Sequence, residues 1–174
     1  MTGRDWTLRL ARPDDAESMP AIERAAAEKF RGDRDLINAD FDDVWEPDEL
    51  RPLIRKGHCL VAHVGEEMAG FLVNQPFSRD LHIWEMDVHP DHQGRGIGAG
   101  LIRACQIDAH NTGFKAVTLT TFRDVPWNGP FYARLGFEEV TALDAHPRLA
   151  SELALEADNG LPAGRRCAMI HFLG

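Results

Sequence analysis

The stretch from His89 to Cys105, HPDHQGRGIGAGLIRAC, carries glycine at four alternate positions, which are Gly94, Gly96, Gly98 and Gly100. A glycine inside a helix costs about 1 kcal/mol relative to alanine, so this cluster needs a physical reason. A glycine-rich turn between a strand and a helix aims free backbone N–H groups and the positive end of the helix dipole at one point. The stretch therefore predicts a binding site for a phosphate or diphosphate group.

The residues before this turn predict an antiparallel meander. The runs HCLVAHV (58–64) and MAGFLVNQPF (68–77) are separated by three residues, as in a hairpin, and DLHIWEMDV (80–88) follows as a third strand. Upstream, WTLRLARPDD predicts a strand, DDAESMPAIERAAAEKF a helix capped by Asp14 or Asp15, and residues 46–56 a short second helix. This half of the chain therefore supplies most of the strands.

The residues after the turn alternate between helix and strand patterns. A helix is expected to about His110, then a strand at KAVTLTTF (115–122), a short helix at NGPFYARLG (128–136), and extended chain at FEEV. The tail predicts a helix at RLASELALEA and a final strand at RCAMIHFL. We expect an α/β fold in which a sheet of mixed direction is covered by helices.

Composition limits the domain count and the partners. A chain of 174 residues with 44% hydrophobic residues predicts a single domain over residues 1–174. A net charge of -9 disfavours nucleic acid and favours a cationic amine or a basic peptide. No run resembles a signal peptide or a membrane span, and the three cysteines lack zinc-type spacing, so we expect a cytoplasmic protein without a membrane or metal partner. A homodimer stays open, because dimers are the commonest soluble oligomers.

The same glycines also fit a loose dinucleotide pattern, Gly94-x-Gly96-x-x-Ala99. That pattern normally opens a series of parallel βαβ units with an acidic residue at the end of the second strand. Here the turn follows an antiparallel meander and the next strand ends in TTFRD. A nicotinamide cofactor is therefore the remote alternative.

Two motifs resemble the GNAT superfamily of acyl-CoA N-acyltransferases. The run QGRGIG (93–98) matches the Q/R-x-x-G-x-G/A motif, and MDVHP before it resembles the strand that ends in Val-x-Pro. In addition, PWNGPFYARLGF (126–137) resembles the Asn-x-x-x-Tyr helix followed by Gly-Phe. The resemblance covers most of residues 7 to 140. It implies the GNAT fold, a mostly antiparallel mixed sheet that is splayed at the acyl-CoA site and flanked by helices.

The resemblance also implies acetyl-CoA as the acyl donor, with no metal. The pantetheine arm would lie between the strand that ends at Val88 and the strand 115–122, and the turn would hold the diphosphate. The residues implied for this binding are Met86, Val88, Gln93, Gly94, Arg95, Gly96, Ile97, Gly98, Ala99 and Asn128.

Acyl transfer to an amine needs a neutral amine, a polarised carbonyl and a proton for the departing thiolate. Tyr132 is the candidate proton donor, because it lies on the motif position and shares a helix face with Asn128. His82 and Glu85 are the candidate bases. Strand alternation puts His82 on one face with Trp84, Met86 and Val88, whereas Glu85 reaches the acyl group only if a bulge shifts the phase.

The parts that match the family least should build the acceptor pocket: residues 30–45 and 141–166, with Phe30, Trp45 and Trp84 as candidate lining residues. The sequence thus predicts an N-acetyltransferase that moves an acetyl group to a primary amine of a small molecule or peptide by direct attack in a ternary complex. A non-catalytic acyl-CoA-binding sensor or scaffold is the alternative. The sequence does not identify the acceptor amine or the length of the acyl group.

Overall fold

The computed structural model describes residues 3–36 and 40–174, which contain seven strands and five α-helices. The strands are β1 (Thr7–Leu10), β2 (Leu60–Val64), β3 (Glu67–Phe77), β4 (Asp80–Val88), β5 (Ala116–Phe122), β6 (Glu138–Glu139) and β7 (Arg166–Phe172). The helices are α1 (Met19–Ala27), α2 (Pro47–Ile54), α3 (Ile97–Thr112), α4 (Gly129–Ala133) and α5 (Pro147–Asp158). Short 3-10 turns join several of them.

The strands form one sheet in the order β1-β2-β3-β4-β5-β7-β6. Every neighbouring pair is antiparallel except β4 and β5, which run parallel. The long α3 provides the crossover connection that a parallel pair requires. The prediction of a mixed, mostly antiparallel sheet flanked by helices is confirmed.

Helices cover both faces of the sheet, because alternate strand residues are apolar on both sides. Along β5, Val117 and Leu119 belong to the core beneath α3, whereas Ala116 belongs to the core beneath α5. On β3, Leu72 faces the α3 side, and its neighbours Phe71 and Val73 pack with residues of α1 and α2. The α3 face and the α1, α2 and α5 face therefore carry separate hydrophobic cores.

The first helix starts later than the sequence predicted. A 3-10 turn at Pro13–Glu17 comes first, and α1 begins at Met19. Pro20 explains the difference, because a helix that began at Asp14 would put its ring in the helix interior, where it clashes with a preceding carbonyl. In the observed helix Pro20 occupies the first turn, where no N–H is needed. The Asp15 carboxylate accepts the Arg12 N–H at 2.6 Å and so caps the 3-10 turn.

Candidate active site

The sheet opens between its two central strands. Parallel pairing joins Asp80–His82 of β4 to Ala116–Thr118 of β5, and the ladder stops there. A cavity of about 490 Å³ occupies the gap beyond, lined by the second halves of β4 and β5, by the first residues of α3, and by Phe131 and Tyr132 of α4. The splay that the resemblance implied therefore lies where it was expected.

The glycine-rich turn forms one wall of this cavity. Gly94 and Gly96 have φ angles of 78° and 83°, in the left-handed region that favours glycine. The first hydrogen bond of α3 runs from the Gly100 N–H to the Gly96 carbonyl at 2.9 Å, so the three preceding helical amides have no partner in the helix. Those amides belong to Ile97, Gly98 and Ala99, which all line the cavity. An arrangement of this kind, at a helix N-terminus, can bind an anion.

The two long side chains of the turn brace it from behind. Gln93 lines the cavity, but its side-chain amide donates to the Val88 carbonyl at 2.9 Å. Arg95 is not among the cavity residues. Its guanidinium pairs with Asp5 at 2.8 Å, and its carbonyl accepts the Trp6 indole N–H at 3.0 Å. The structure therefore brings the backbone of this motif to the cavity and uses its side chains to hold the loop.

The last two glycines of the cluster differ in what they contact. A β-carbon on Gly98 would lie 3.5 Å from the ring of Phe131, which is ordinary contact. On Gly100 it would lie 2.4 Å from a ring atom of Trp6, which is a clash. Gly100 therefore allows close packing of α3 against Trp6 and does not line the cavity.

A bulge in β4 sets which side chains face the acceptor side. Val73 of β3 pairs with Glu85 and Asn74 pairs with Ile83, which leaves Trp84 without a register partner. The regular alternation predicted for this strand is therefore wrong, and the bulged alternative applies. Met86 and Val88 pack against the core beneath α3 together with Ile83.

The same bulge turns Glu85 and Asp87 toward α1. Their register partners on β3 are Val73 and Phe71, which belong to the core on the α1 and α2 face. Cross-strand partners share a face of the sheet, so both carboxyl groups lie on that side. Both residues also line the cavity.

His82 lies at the point where β4 and β5 separate. It is 1% exposed, its Nδ1 lies 2.8 Å from Thr118 Oγ1, and its ring packs edge-on against Trp84. Burial and the nearby Arg148 guanidinium lower the pKa of His82 to about 3. The imidazole is therefore neutral at physiological pH, and His82 is not among the cavity residues.

Three carboxyl groups gather on the α1 side of β4. Burial is the main cause that raises the pKa of Glu85 well above its usual value and that of Asp87 to about 7. Glu23 of α1 stands behind them, where its Oε2 accepts the Trp45 N–H at 3.0 Å. Burial and the neighbouring Glu85 raise the pKa of Glu23 to about 8. Sequence reasoning did not identify Glu23 or Asp87 as site residues.

Tyr132 faces this cluster from α4 across the cavity. Burial, followed by the negative charges of Asp87 and Glu85, raises the pKa of its hydroxyl above the usual value. Tyr132 therefore keeps its proton at neutral pH. One turn earlier, Asn128 also lines the cavity, and its Oδ1 accepts the Thr121 hydroxyl at 2.9 Å.

Aromatic rings form one wall of the cavity. Phe30 and Trp84 line the cavity as predicted, but Trp45 stands behind Trp84, with ring centroids 6.1 Å apart. Phe122 and Trp127, which sequence reasoning missed, pack against Phe30 at centroid distances of 5.4 Å and 5.7 Å. Residues 37–39 of the predicted acceptor segment 30–45 lie outside the described residues.

Two cationic side chains, Lys29 and Arg166, line the cavity. Arg166, the first residue of β7, is held by the Glu156 carboxylate of α5 at 3.1 Å. The segment 141–166 was predicted to build the acceptor pocket, and of its residues Arg166 lines the cavity. The sequence around Arg166 predicts only the start of a strand, so it did not indicate that this side chain lines the cavity.

Two further properties concern the described chain as a whole. Across residues 3–36 and 40–174, no group of three or more His, Cys, Asp or Glu side chains is arranged to hold a metal ion. No helix in the same ranges is long and apolar enough to cross a membrane.

The sequence and the fold both match known acetyltransferases. Residues 55–139 match the family model described as the acetyltransferase (GNAT) domain. Over 124 residues the chain is 32% identical to a mycothiol acetyltransferase of Thermobispora bispora, an alignment that covers 64% of this chain and 40% of that relative. The chain thus spans less than half the length of this curated relative.

Solved structures of the same fold align over nearly the whole chain. The PaiA N-acetyltransferase of Thermoplasma acidophilum, in complex with coenzyme A, superposes with a TM-score of 0.73 at 14% identity and covers 96% of this chain and 98% of its own. The ribosomal-protein-S18-alanine N-acetyltransferase of Escherichia coli gives a TM-score of 0.67 at 17% identity, with 97% and 94% covered. Together with the match of residues 55–139 to the GNAT domain model, the splayed sheet and the glycine-rich turn, these likenesses show that the chain has the fold of the GNAT acetyltransferases.

Proposed function

We propose that residues 1–174 act as one domain that transfers an acetyl group from acetyl-CoA to a primary amine of a small molecule or peptide. The observation that carries the proposal is the shared cavity. Free amides at the start of α3, the Tyr132 hydroxyl and the buried carboxyl groups of β4 all line one space in the gap between β4 and β5. An anion site, a proton donor and a proton acceptor are the groups that acyl transfer from a thioester requires.

The donor half lies on the α3 side. The amides of Ile97, Gly98 and Ala99 bind the diphosphate of acetyl-CoA, because phosphate oxygens accept from a helix N-terminus. The pantetheine arm runs along the unpaired second half of β4 and passes Asn128. This placement brings the thioester beside Tyr132.

The chemistry is direct attack in a ternary complex. The acceptor arrives as an ammonium ion, loses a proton to the site, and its nitrogen attacks the thioester carbonyl carbon. A backbone N–H near Val88 polarises that carbonyl. The carbon–sulfur bond breaks, and Tyr132 donates its proton to the departing thiolate. The raised pKa of Tyr132 supports this role, because the hydroxyl still carries its proton at neutral pH.

Of the two candidate bases that the sequence offered, Glu85 is the one whose position fits acid–base chemistry in the cavity. It lines the cavity, whereas His82 is buried against Thr118 outside it. The pKa of His82, lowered to about 3, also makes its imidazole a weak base at neutral pH. The bulge at Trp84 is the local feature that turns the Glu85 carboxyl toward the acceptor.

The test is release of the CoA thiol from acetyl-CoA with a panel of primary amines, comparing the wild type with Tyr132→Phe. General acid catalysis contributes about 10²- to 10⁴-fold, so we expect turnover of at least one amine to fall by that factor in the variant. Binding of acetyl-CoA, measured by calorimetry, should stay close to that of the wild type, because the ring remains in place.

A reaction without amine corrects for thioester hydrolysis and for the protein thiols, which are Cys59, Cys105 and Cys167 and are all buried. Equal turnover in both proteins would remove Tyr132 from the role of acid. Binding of acetyl-CoA without turnover of any amine would favour the sensor or scaffold function over the enzyme.

A further inference from the structure

We propose that Glu85 and Asp87 work as a pair that holds one proton between the two carboxyl groups, and that Asp87 is the ionised member that receives the proton of the acceptor ammonium ion. The inference deepens the proposed function and rests on it, since it concerns the same cavity. It adds Asp87 as a second catalytic carboxyl group beside Glu85.

The pair is built by the backbone of β4. The two residues are two positions apart, directly after the bulge at Trp84, so their side chains leave the same face of the strand. Both line the cavity, so the two carboxyl groups lie next to each other on one face of β4. Two ionised carboxylates only accept hydrogen bonds, so a hydrogen bond between them requires a proton on one of them.

An oxygen of Asp87 points to the same shared proton. Asp87 Oδ2 is buried, and no donor among the described residues reaches it. A buried acceptor without a donor destabilises the fold, because it has lost its hydrogen bonds to water and gained none in return. The protonated Glu85 carboxyl removes that penalty, because its O–H can donate to Asp87.

The environment assigns the proton to Glu85. Burial and the charge of Asp87 raise the pKa of Glu85 well above its usual value, whereas the hydrogen bond from Glu85 opposes the effect of burial on Asp87, whose pKa is about 7. At neutral pH, Asp87 is thus the member that can both hold and release a proton. The two carboxyl groups titrate as a coupled pair.

Charged groups on three other elements face the pair. Glu23 of α1 raises the pKa of Asp87, Arg166 of β7 lowers that of Glu85, and the neutral Tyr132 hydroxyl faces both from α4. The Arg166 charge is already balanced by Glu156. Lys29 is the other cation of the cavity wall, and the ionised Asp87 supplies the negative charge that attracts an amine arriving as a cation.

The protons balance as follows. The ammonium nitrogen gives one proton to Asp87 and then attacks the carbonyl carbon. As the carbon–sulfur bond breaks, the Tyr132 proton goes to sulfur, and the second proton from nitrogen restores the tyrosine hydroxyl. Asp87 releases its proton to solvent, so each turnover yields the amide, the CoA thiol and one proton.

The kinetic test compares Glu85→Gln, Asp87→Asn and the double variant by the pH dependence of kcat/KM. A glutamine amide can still donate to Asp87, so we expect Glu85→Gln to stay within about tenfold of the wild type, with its acid limb retained. In Asp87→Asn, kcat/KM should fall further at neutral pH, because the buried Glu85 still carries its proton at that pH. It should recover as the pH rises and Glu85 ionises. The double variant should lose about 10²- to 10⁴-fold and show no acid limb.

A full loss in Glu85→Gln alone, or an unchanged profile in Asp87→Asn, would overturn the pair. The matched control is Asp80→Asn, at the other end of β4 and outside the cavity, which should keep the wild-type profile.

A second readout is independent of turnover. Carbon-13 NMR of labelled carboxyl groups in the full chain follows the titration directly. We expect the Glu85 resonance to titrate at lower pH in Asp87→Asn than in the wild type, because a like charge and a shared proton are lost. An unmoved Glu85 resonance contradicts the pair even if no amine is turned over. Failure of the proposed function would instead appear as an inactive wild type whose carboxyl groups still titrate together.

Discussion

At the scale of single residues, the glycines from Gly94 to Gly100 serve two different purposes. Gly94 and Gly96 supply left-handed backbone, which shapes the loop around the cavity. Gly100 is needed because it has no side chain: a β-carbon at this position would clash with the ring of Trp6. A glycine cluster in a binding motif is thus partly a packing device.

This difference predicts opposite effects of alanine at two neighbouring positions of α3. Gly100→Ala forces Trp6 to shift, and we expect a loss of about 1–3 kcal/mol in the free energy of unfolding. Gly98→Ala meets only ordinary contacts, so it should be neutral or gain up to about 1 kcal/mol from helix propensity. Urea unfolding of both variants without ligand measures the difference. Equal stabilities would show that the Trp6 contact does not govern the position.

The site residues that the sequence predicted are those that lie in short, continuous motifs. Gly96 and Tyr132 lie in short motifs, so their place beside the cavity follows from a few neighbouring residues. Asp87 and Glu23 do not, because their position depends on a bulge and on how α1 packs against the sheet. Trp45 shows the converse error, since its ring is one layer behind the wall that Trp84 forms.

At the scale of elements, α1 and β4 together create the acidic side of the cavity. α1 brings Glu23 to the face of the strand onto which the bulge of β4 turns Glu85 and Asp87. Element types and order were predictable from hydrophobic periodicity, whereas the phase of β4 was not. A single unpaired residue, Trp84, reverses which side chains face α1.

The packing of α1 against β4 predicts a pH-dependent stability effect of Glu23. Its pKa is raised to about 8 in the folded protein, so the stability that its neutral form provides is lost as the pH rises through that value. We expect Glu23→Gln to gain stability relative to the wild type between about pH 5 and pH 9, by up to a few kcal/mol.

Urea unfolding of both proteins at several pH values measures this gain. Glu28→Gln, which replaces an exposed carboxylate just after α1, is the matched control and should track the wild type. A stability difference between Glu23→Gln and the wild type that does not change with pH would contradict the prediction.

At the scale of the whole molecule, the sheet consists of two antiparallel parts joined by a short parallel seam. β1 to β4 form one part, β5, β7 and β6 form the other, and three residue pairs connect them. The fold class and the splay were predictable, since the motifs flank the strands that part. The aromatic wall of the cavity was not predictable, because it is assembled from Phe30, Phe122 and Trp127, and Phe30 is distant in sequence from the other two.

This architecture predicts that the acyl donor stabilises the molecule as a unit. A ligand at 100 times its dissociation constant adds about 2.7 kcal/mol, which corresponds to a rise of about 5–10 °C in Tm for a chain of this size. We expect that rise with acetyl-CoA and none with NADPH, measured by differential scanning calorimetry. A rise with NADPH alone would favour the dinucleotide alternative.

The short seam between β4 and β5 also bears on aggregation. Strands that stop pairing expose donors and acceptors which recruit other extended chains, and proteins usually protect such edges at the rim of a sheet. Here the unpaired edges lie inside the sheet, along the cavity between β4 and β5. In the proposed function, the pantetheine arm carries its own amides and completes these edges. The fold thereby keeps these unpaired backbone groups available to the ligand and away from the rim of the sheet, where another chain could pair with them.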